Sequence, residues 1–141
     1  MINFFRNKEK STINNTNFLT KIASLLVYAA KIDEVYTDQE EKIIKKTLIK
    51  LDAKDSEINQ IMSEAAINEE NSNQILDFTR EVKNMPELDK IKVIEALWQI
   101  IYSNKNADIY ETNLMRRLAG LLYIDDRTMG DIKERVKREF L

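Results

Sequence analysis

The stretch Ile32-Asp33-Glu34-Val35-Tyr36-Thr37-Asp38-Gln39-Glu40-Glu41 decides how the chain is read. It is a short acidic turn between two apolar-periodic segments, 18–31 before it and 38–51 after it. Thr37 stands three residues before Glu40, the S/T-x-x-E spacing of a capping box. In such a box the threonine hydroxyl accepts from the N–H three residues on, and the glutamate reaches back to the threonine N–H. A helix is therefore predicted to start at Asp38. Asp33 lies seven residues before Glu40, at the end of the preceding helix, so this helix–turn–helix can aim both carboxylates at one small volume.

Helical periodicity extends outward from the turn in both directions. The preceding helix is predicted over 17–31, with Phe18, Ile22, Leu25, Leu26 and Ala29 at spacings of three and four. The helix over 38–51 buries Ile43, Ile44, Thr47, Leu48 and Leu51 and turns Lys42, Lys45, Lys46 and Lys50 outward. A third follows a break at 52–56, marked by Ile58, Ile61, Met62 and Ala65, and 66–73 reads as a polar linker. A fourth, 73–83, places Ile75, Phe78, Thr79 and Val82 inward and stops before Pro86, because the residue preceding a proline avoids the α region. The fifth, 86–102, carries the widest apolar stripe (Leu88, Ile91, Ile94, Leu97, Trp98 and Ile101) and is expected to be central. Trp98 within it reads as core rather than as a ligand platform. The sixth, 109–122, has Asp108 as its cap and buries Leu114, Met115, Leu118, Leu121 and Leu122. The last begins at Asp125 or Asp126, with Met129, Ile132, Val136 and Phe140 inward.

Composition agrees with an all-α domain. Two glycines and one proline in 141 residues are too few turn formers for an all-β or doubly wound fold. Residues 1–15 read as a polar tail and 16–141 as one domain. The tail's Ile2, Phe4 and Phe5 beside Arg6, Lys8 and Lys10 give a possible peripheral contact with an anionic membrane surface; a frayed terminus is the favoured reading. No run approaches the roughly 20 apolar residues that span a bilayer. The N-terminus shows no apolar signal-peptide core, so a cytoplasmic protein is expected. A net charge of −2 offers no bulk attraction to nucleic acid. With no cysteine and no histidine, thiol chemistry, Ser-His-Asp chemistry and the common zinc sites are excluded. Any metal here must take oxygen ligands, which points to Ca²⁺, Mg²⁺ or Mn²⁺. There is no glycine-rich phosphate loop and no activated nucleophile, so no enzyme is expected.

The chain also resembles itself 71 residues on. Glu40 falls on Glu111, Leu26 on Leu97, Leu51 on Leu122 and Thr37 on Asp108, while Asp33 falls on Asn104. Two caps, two turns and two apolar stripes coincide. Two pseudo-repeated helical hairpins with their polar turns at one end are the expected consequence, with the turns pooling oxygen ligands.

The twice-occurring pattern of a helix, an acidic turn with an [ST/D]-x-x-E cap, and a second helix resembles the tellurite-resistance protein B (TerB-like) family. Ile94 to Tyr102 is similar to that family's central helix, Tyr110 to Leu122 to the helix after its second loop, and Phe78-Thr79-Arg80 to a segment between the repeats. The similarity covers about 17–138, and is particularly close to the stand-alone branch of the family. It implies an all-α domain of about seven helices, acidic loops that bind a divalent cation, and a stress-related scaffold or sensor near the inner membrane. Carried over residue by residue, the metal ligands are Asp33 and Glu40 in the first motif and Asn104 and Glu111 in the second. The family's loop glycine is replaced by Glu34 and by Lys105, and its second aspartate by Asn104, so the second site is expected to be degraded. The competing expectation is a helical protein-interaction module, co-chaperone-like or membrane-associated, in which the acidic turns are caps and the partner is another protein.

Overall fold

Helices and their connecting turns make up the residues that the computed structural model describes: 17–31, 36–71, 76–103 and 111–140. Among these residues there are seven helices and no strand. They are α1 (17–30), α2 (Asp38–Lys50), α3 (Asp55–Asn71), α4 (Leu76–Lys83), α5 (Glu87–Ser103), α6 (Arg116–Leu121) and α7 (Asp126–Glu139). A five-residue π-helical turn, Glu111–Met115, leads into α6.

The most enclosed helix is α1. Between residues 19 and 30 only Lys21 and Tyr28 escape full burial. A helix that is apolar nearly all round belongs in a core, and the polar groups it carries inside must be paired. Ser24 Oγ donates to the Thr20 carbonyl at 2.8 Å, inside the helix itself. Thr20 Oγ1 donates to Glu64 Oε2 on α3 at 3.5 Å. Lys21 Nζ meets Glu81 Oε1 on α4 at 2.9 Å, and Lys31 Nζ meets Glu69 Oε2 on α3 at 3.2 Å. These ion pairs are partly exposed, so each contributes at most about 1 kcal/mol. Burial of Leu19, Ile22, Leu25 and Leu26, at about 1.5–3 kcal/mol apiece, carries α1.

The fifth helix is central too, packed against α2, α4 and α7. Its buried residues run from Lys90 through Val93, Ile94 and Leu97 to Ile101. Leu88 does not join them and is 77% exposed. The reason is helical phase: nine residues separate Leu88 from Leu97, about 900°, so they project from opposite sides. Lys90 falls on the Leu97 side and lays its aliphatic stem along the core. Lys92 Nζ donates to the Lys50 carbonyl at 3.2 Å, putting a cation on the negative end of α2.

Three further expectations change. The segment from 66 on is not a linker, because α3 continues to Asn71. No glycine or proline breaks it, and Glu69 in the added turn is anchored by Lys31. Phe140 is 39% exposed, because α7 ends at Glu139 and Phe140 caps it through its N–H on the Lys137 carbonyl. The entry to α6 winds as a π turn rather than an α-helix. The expected positions Ile75, Asn104 and Asp108 and the tail 1–15 lie outside the described residues.

The 71-residue offset reappears in the helix ends. Asp52 (φ 73°) follows α2 and Tyr123 (φ 56°) follows α6. Ala53 N–H donates to the Leu48 carbonyl at 2.9 Å, and Ile124 N–H to the Ala119 carbonyl at 3.1 Å. Both are Schellman closures, with Ala53 and Ile124 buried as their apolar plugs. The next helices then start at Asp55 and Asp126. The match breaks at the π turn, which has no counterpart at the start of α2.

A non-glycine residue in the left-handed region costs roughly 1–2 kcal/mol. Exposed Asp52→Gly is therefore expected to raise the unfolding free energy by about 0.5–1 kcal/mol, after the glycine's unfolded-state entropy is subtracted. Leu97→Ala is expected to lower it by about 2–5 kcal/mol. Urea titrations measure both, and a destabilised Asp52→Gly would show that the aspartate is held there by more than its backbone angle.

Candidate functional site

The acidic turn ends in a complete capping box. Thr37, at φ −95° and ψ 160°, accepts from the Glu40 N–H at 3.2 Å through its hydroxyl. Both the N–H and the hydroxyl of Thr37 donate to Glu40 Oε1, each at 2.9 Å. Glu40 is only 3% exposed, so this carboxylate is a built-in part of the helix start. Glu41, one residue on, faces Lys45 at 3.0 Å along the same helix. Asp38, Glu40 and Glu41 together place three carboxylates in the first turn, where the helix dipole favours them.

Tyr36 reports the field of that turn. Partial burial pushes its phenol up to about 12, and the neighbouring Glu41 and Glu40 carboxylates push in the same direction. An anion is thus disfavoured at this spot by desolvation first and by negative charge second.

Asp33 and Asn104 lie outside the described residues; Glu111 is described by its backbone, as the first residue of the π turn. Of the four expected ligands, Glu40 is therefore the one whose side chain is placed. Among the described residues no group of three acidic side chains converges as a metal site.

Two open grooves flank the helices at related places. One, of about 540 Å³, lies beside the turn and is lined by Tyr36, Glu41 and Lys45 together with Asn59, Met62 and Ser63 of α3. The other, of about 300 Å³, lies among α5, the π turn, α6 and α7, and is lined by Trp98, Met115, Arg116, Gly130 and Lys133 among others. Lys45, Asn59 and Met62 of the first stand 71 residues before Arg116, Gly130 and Lys133 of the second. Trp98 is core, as expected, at 3% exposed, and it also borders this groove. The signal for that groove was a glycine inside a helical pattern, Gly130, which sequence periodicity passes over.

The fold is an all-helical domain with acidic and grooved surfaces and, among the described residues, no helix long and apolar enough to cross a membrane. A family model, tellurite resistance protein TerB, matches residues 19–134, and the chain belongs to that family. No match is found among curated proteins or among solved structures.

Removing the cap, Thr37→Ala, is expected to cost about 1 kcal/mol, within the roughly 0.5–2 kcal/mol of such substitutions. The Tyr36 effect has a definite sign. Its phenol titrates at about 12 in the folded chain against 10.0 unperturbed. A raised pKa stabilises the fold fully below the unfolded value, and that contribution is lost as pH climbs through the folded one. Between pH 10 and 12 the wild type should lose more stability than Tyr36→Phe, as followed by circular dichroism melts. Equal losses would mean that Tyr36 does not carry the alkaline transition.

Proposed function

We propose that the chain is a non-enzymatic scaffold or sensor domain in a stress response of the tellurite-resistance kind, working in the cytoplasm or at the inner face of a membrane. A divalent cation, Ca²⁺, Mg²⁺ or Mn²⁺, would act on it at the acidic turn before α2. Membership of the TerB family supports the class. The observation that carries the cation reading is geometric: Asp38, Glu40 and Glu41 stand together in the first turn of α2. Asp33 and Glu40 would hold the ion, and Glu40 would keep its hydrogen bonds from Thr37 at Oε1 while doing so. Asn104 and Glu111 would form a weaker second set. Lacking the D-x-D-x-D-G ligand pattern of an EF-hand, the turn would bind with modest affinity.

One observation favours a second reading, a helical protein-interaction module without a metal. The capping box is complete and its glutamate is buried, which is all that a structural cap requires. In that case the two grooves and the lysine-rich outer face of α2 would meet a protein partner.

Thermal unfolding in EDTA and then in millimolar Ca²⁺, Mg²⁺ or Mn²⁺ tests the choice, with wild type beside Asp33→Asn. An ion that binds only the folded state adds about 2.7 kcal/mol at a hundredfold excess over Kd. The expected result is an ion-specific rise in Tm that Asp33→Asn loses. Identical melts in all four conditions would leave the turn as a cap and the interaction module as the function.

A further inference from the structure

The outer face of α2 carries a row of cations that the fold does not use. Lys42, Lys46 and Lys50 stand four residues apart and are exposed. Side chains at that spacing lie one above the other on a helix, about 6 Å apart along its axis. Among the described residues none of the three ammonium groups has an ion pair or a hydrogen bond. Lys45, by contrast, is held by Glu41 at 3.0 Å. The carboxylates nearest this row along the chain stand at its two ends, with Asp38 one turn before Lys42 and Asp52 just past the helix.

Apolar side chains are exposed within and beside the row. Ile49, between Lys46 and Lys50, is 42% exposed. Lys92 Nζ reaches the Lys50 carbonyl at 3.2 Å, which ties one face of α5 to the end of α2. Leu88, 77% exposed, lies one turn before Lys92 on that face, next to the exposed Glu87. Neither groove beside Tyr36 or beside Trp98 includes any of these residues. A partner helix docks its apolar side into a groove. An anionic bilayer asks instead for cations that reach its phosphates and a few apolar side chains that enter between the headgroups. Lysine suits such a surface, being a mobile point charge that reads charge rather than geometry.

We propose that this face of α2, together with Leu88, seats the domain on a membrane surface that contains anionic phospholipid. The proposal rests on the inner face of a membrane, rather than the open cytoplasm, as the place of work, and it is independent of any cation at the acidic turn. The ammonium groups of Lys42, Lys46 and Lys50 meet lipid phosphates, and Ile49 and Leu88 enter the headgroup layer.

Full-length protein is sedimented with vesicles of phosphatidylcholine alone and of phosphatidylcholine mixed with phosphatidylglycerol. The expected result is binding to the anionic vesicles only, weakening as salt rises. Lys42→Gln, Lys46→Gln and Lys50→Gln together lower partitioning on the order of a hundredfold, as roughly fivefold per lysine near such a surface implies. Lys42→Arg, Lys46→Arg and Lys50→Arg together retain it, because the charge is kept. Leu88→Ser weakens it about fivefold. Phe4→Ser with Phe5→Ser, in the tail, leaves most of it. Circular dichroism confirms that each variant is folded. Three outcomes overturn the proposal. Binding that survives the glutamine triple and is lost with the tail pair moves the membrane contact to the tail. Equal binding to both kinds of vesicle marks apolar adsorption without a role for the lysines. Binding to neither, with labelled polyglutamate bound in a way the glutamine triple abolishes, makes the occupant an acidic polypeptide; binding to none of the three leaves the face solvated. In each case the melts in EDTA and divalent ions still judge the cation reading on their own.

Discussion

The enclosure of α1 is the constraint on which the rest of the structure depends. A helix buried from Leu19 to Ala30 needs neighbours on nearly every side. Hydrogen bonds and ion pairs from Thr20, Lys21 and Lys31 tie it to α3 and α4. Its inner polar groups are small and are satisfied locally, as Ser24 is by the Thr20 carbonyl. Replacing such a hydroxyl by a longer polar chain would strand a donor in the core. The apolar stripe of α5 finishes the interior, and α2 and α7 close over α5.

This arrangement leaves chemistry to the edges. The turn before α2 uses its buried glutamate to fix the start of a helix, and the same carboxylate contributes to the potential felt by Tyr36. On the other half of the molecule the related place is occupied by a groove with cations on its rim. The two halves thus share similar helix ends and similarly charged groove linings, Lys31, Lys45 and Glu41 in one and Arg116, Lys133 and Asp126 in the other.

Much of the helical layout was legible in the sequence because caps and periodicity are local. Thr37 with Glu40 marked the start of α2, and Asp125 with its bond from the Thr128 N–H marked α7. That N–H also holds the Asp125 carboxyl below its usual range. A phase error accounts for Leu88. Leu88 looks like a stripe member when counted forward from the helix start, yet the packed face is set by Leu97 and Ile101, and Leu88 points away from it. The π turn at Glu111–Met115 has no sequence signature, since it depends on how the backbone must wind to seat Leu114 and Met115 in the core. Of the candidate cation site, the cap geometry of Glu40 was legible. Whether carboxylates converge is a tertiary matter that spacing along one chain does not determine. The groove at Trp98 was hidden for the same reason: periodicity says which side of a helix is buried, not whether the neighbours meet over it without a gap.

The burial of α1 also has a consequence for how the chain is made. Its salt bridge to Glu81 spans 60 positions and its bonds to Glu64 and Glu69 span 44 and 38. During translation α1 leaves the ribosome well before any of these partners exists. Its Leu19, Ile22, Leu25 and Leu26 stay uncovered until α3 and α4 follow, and α5 later still. Synthesis proceeds at about 5–20 residues per second, so that exposure lasts seconds. A nascent chain of this sequence therefore carries an uncovered apolar helix until α5 is made, and slower elongation between α1 and α5 lengthens that exposure.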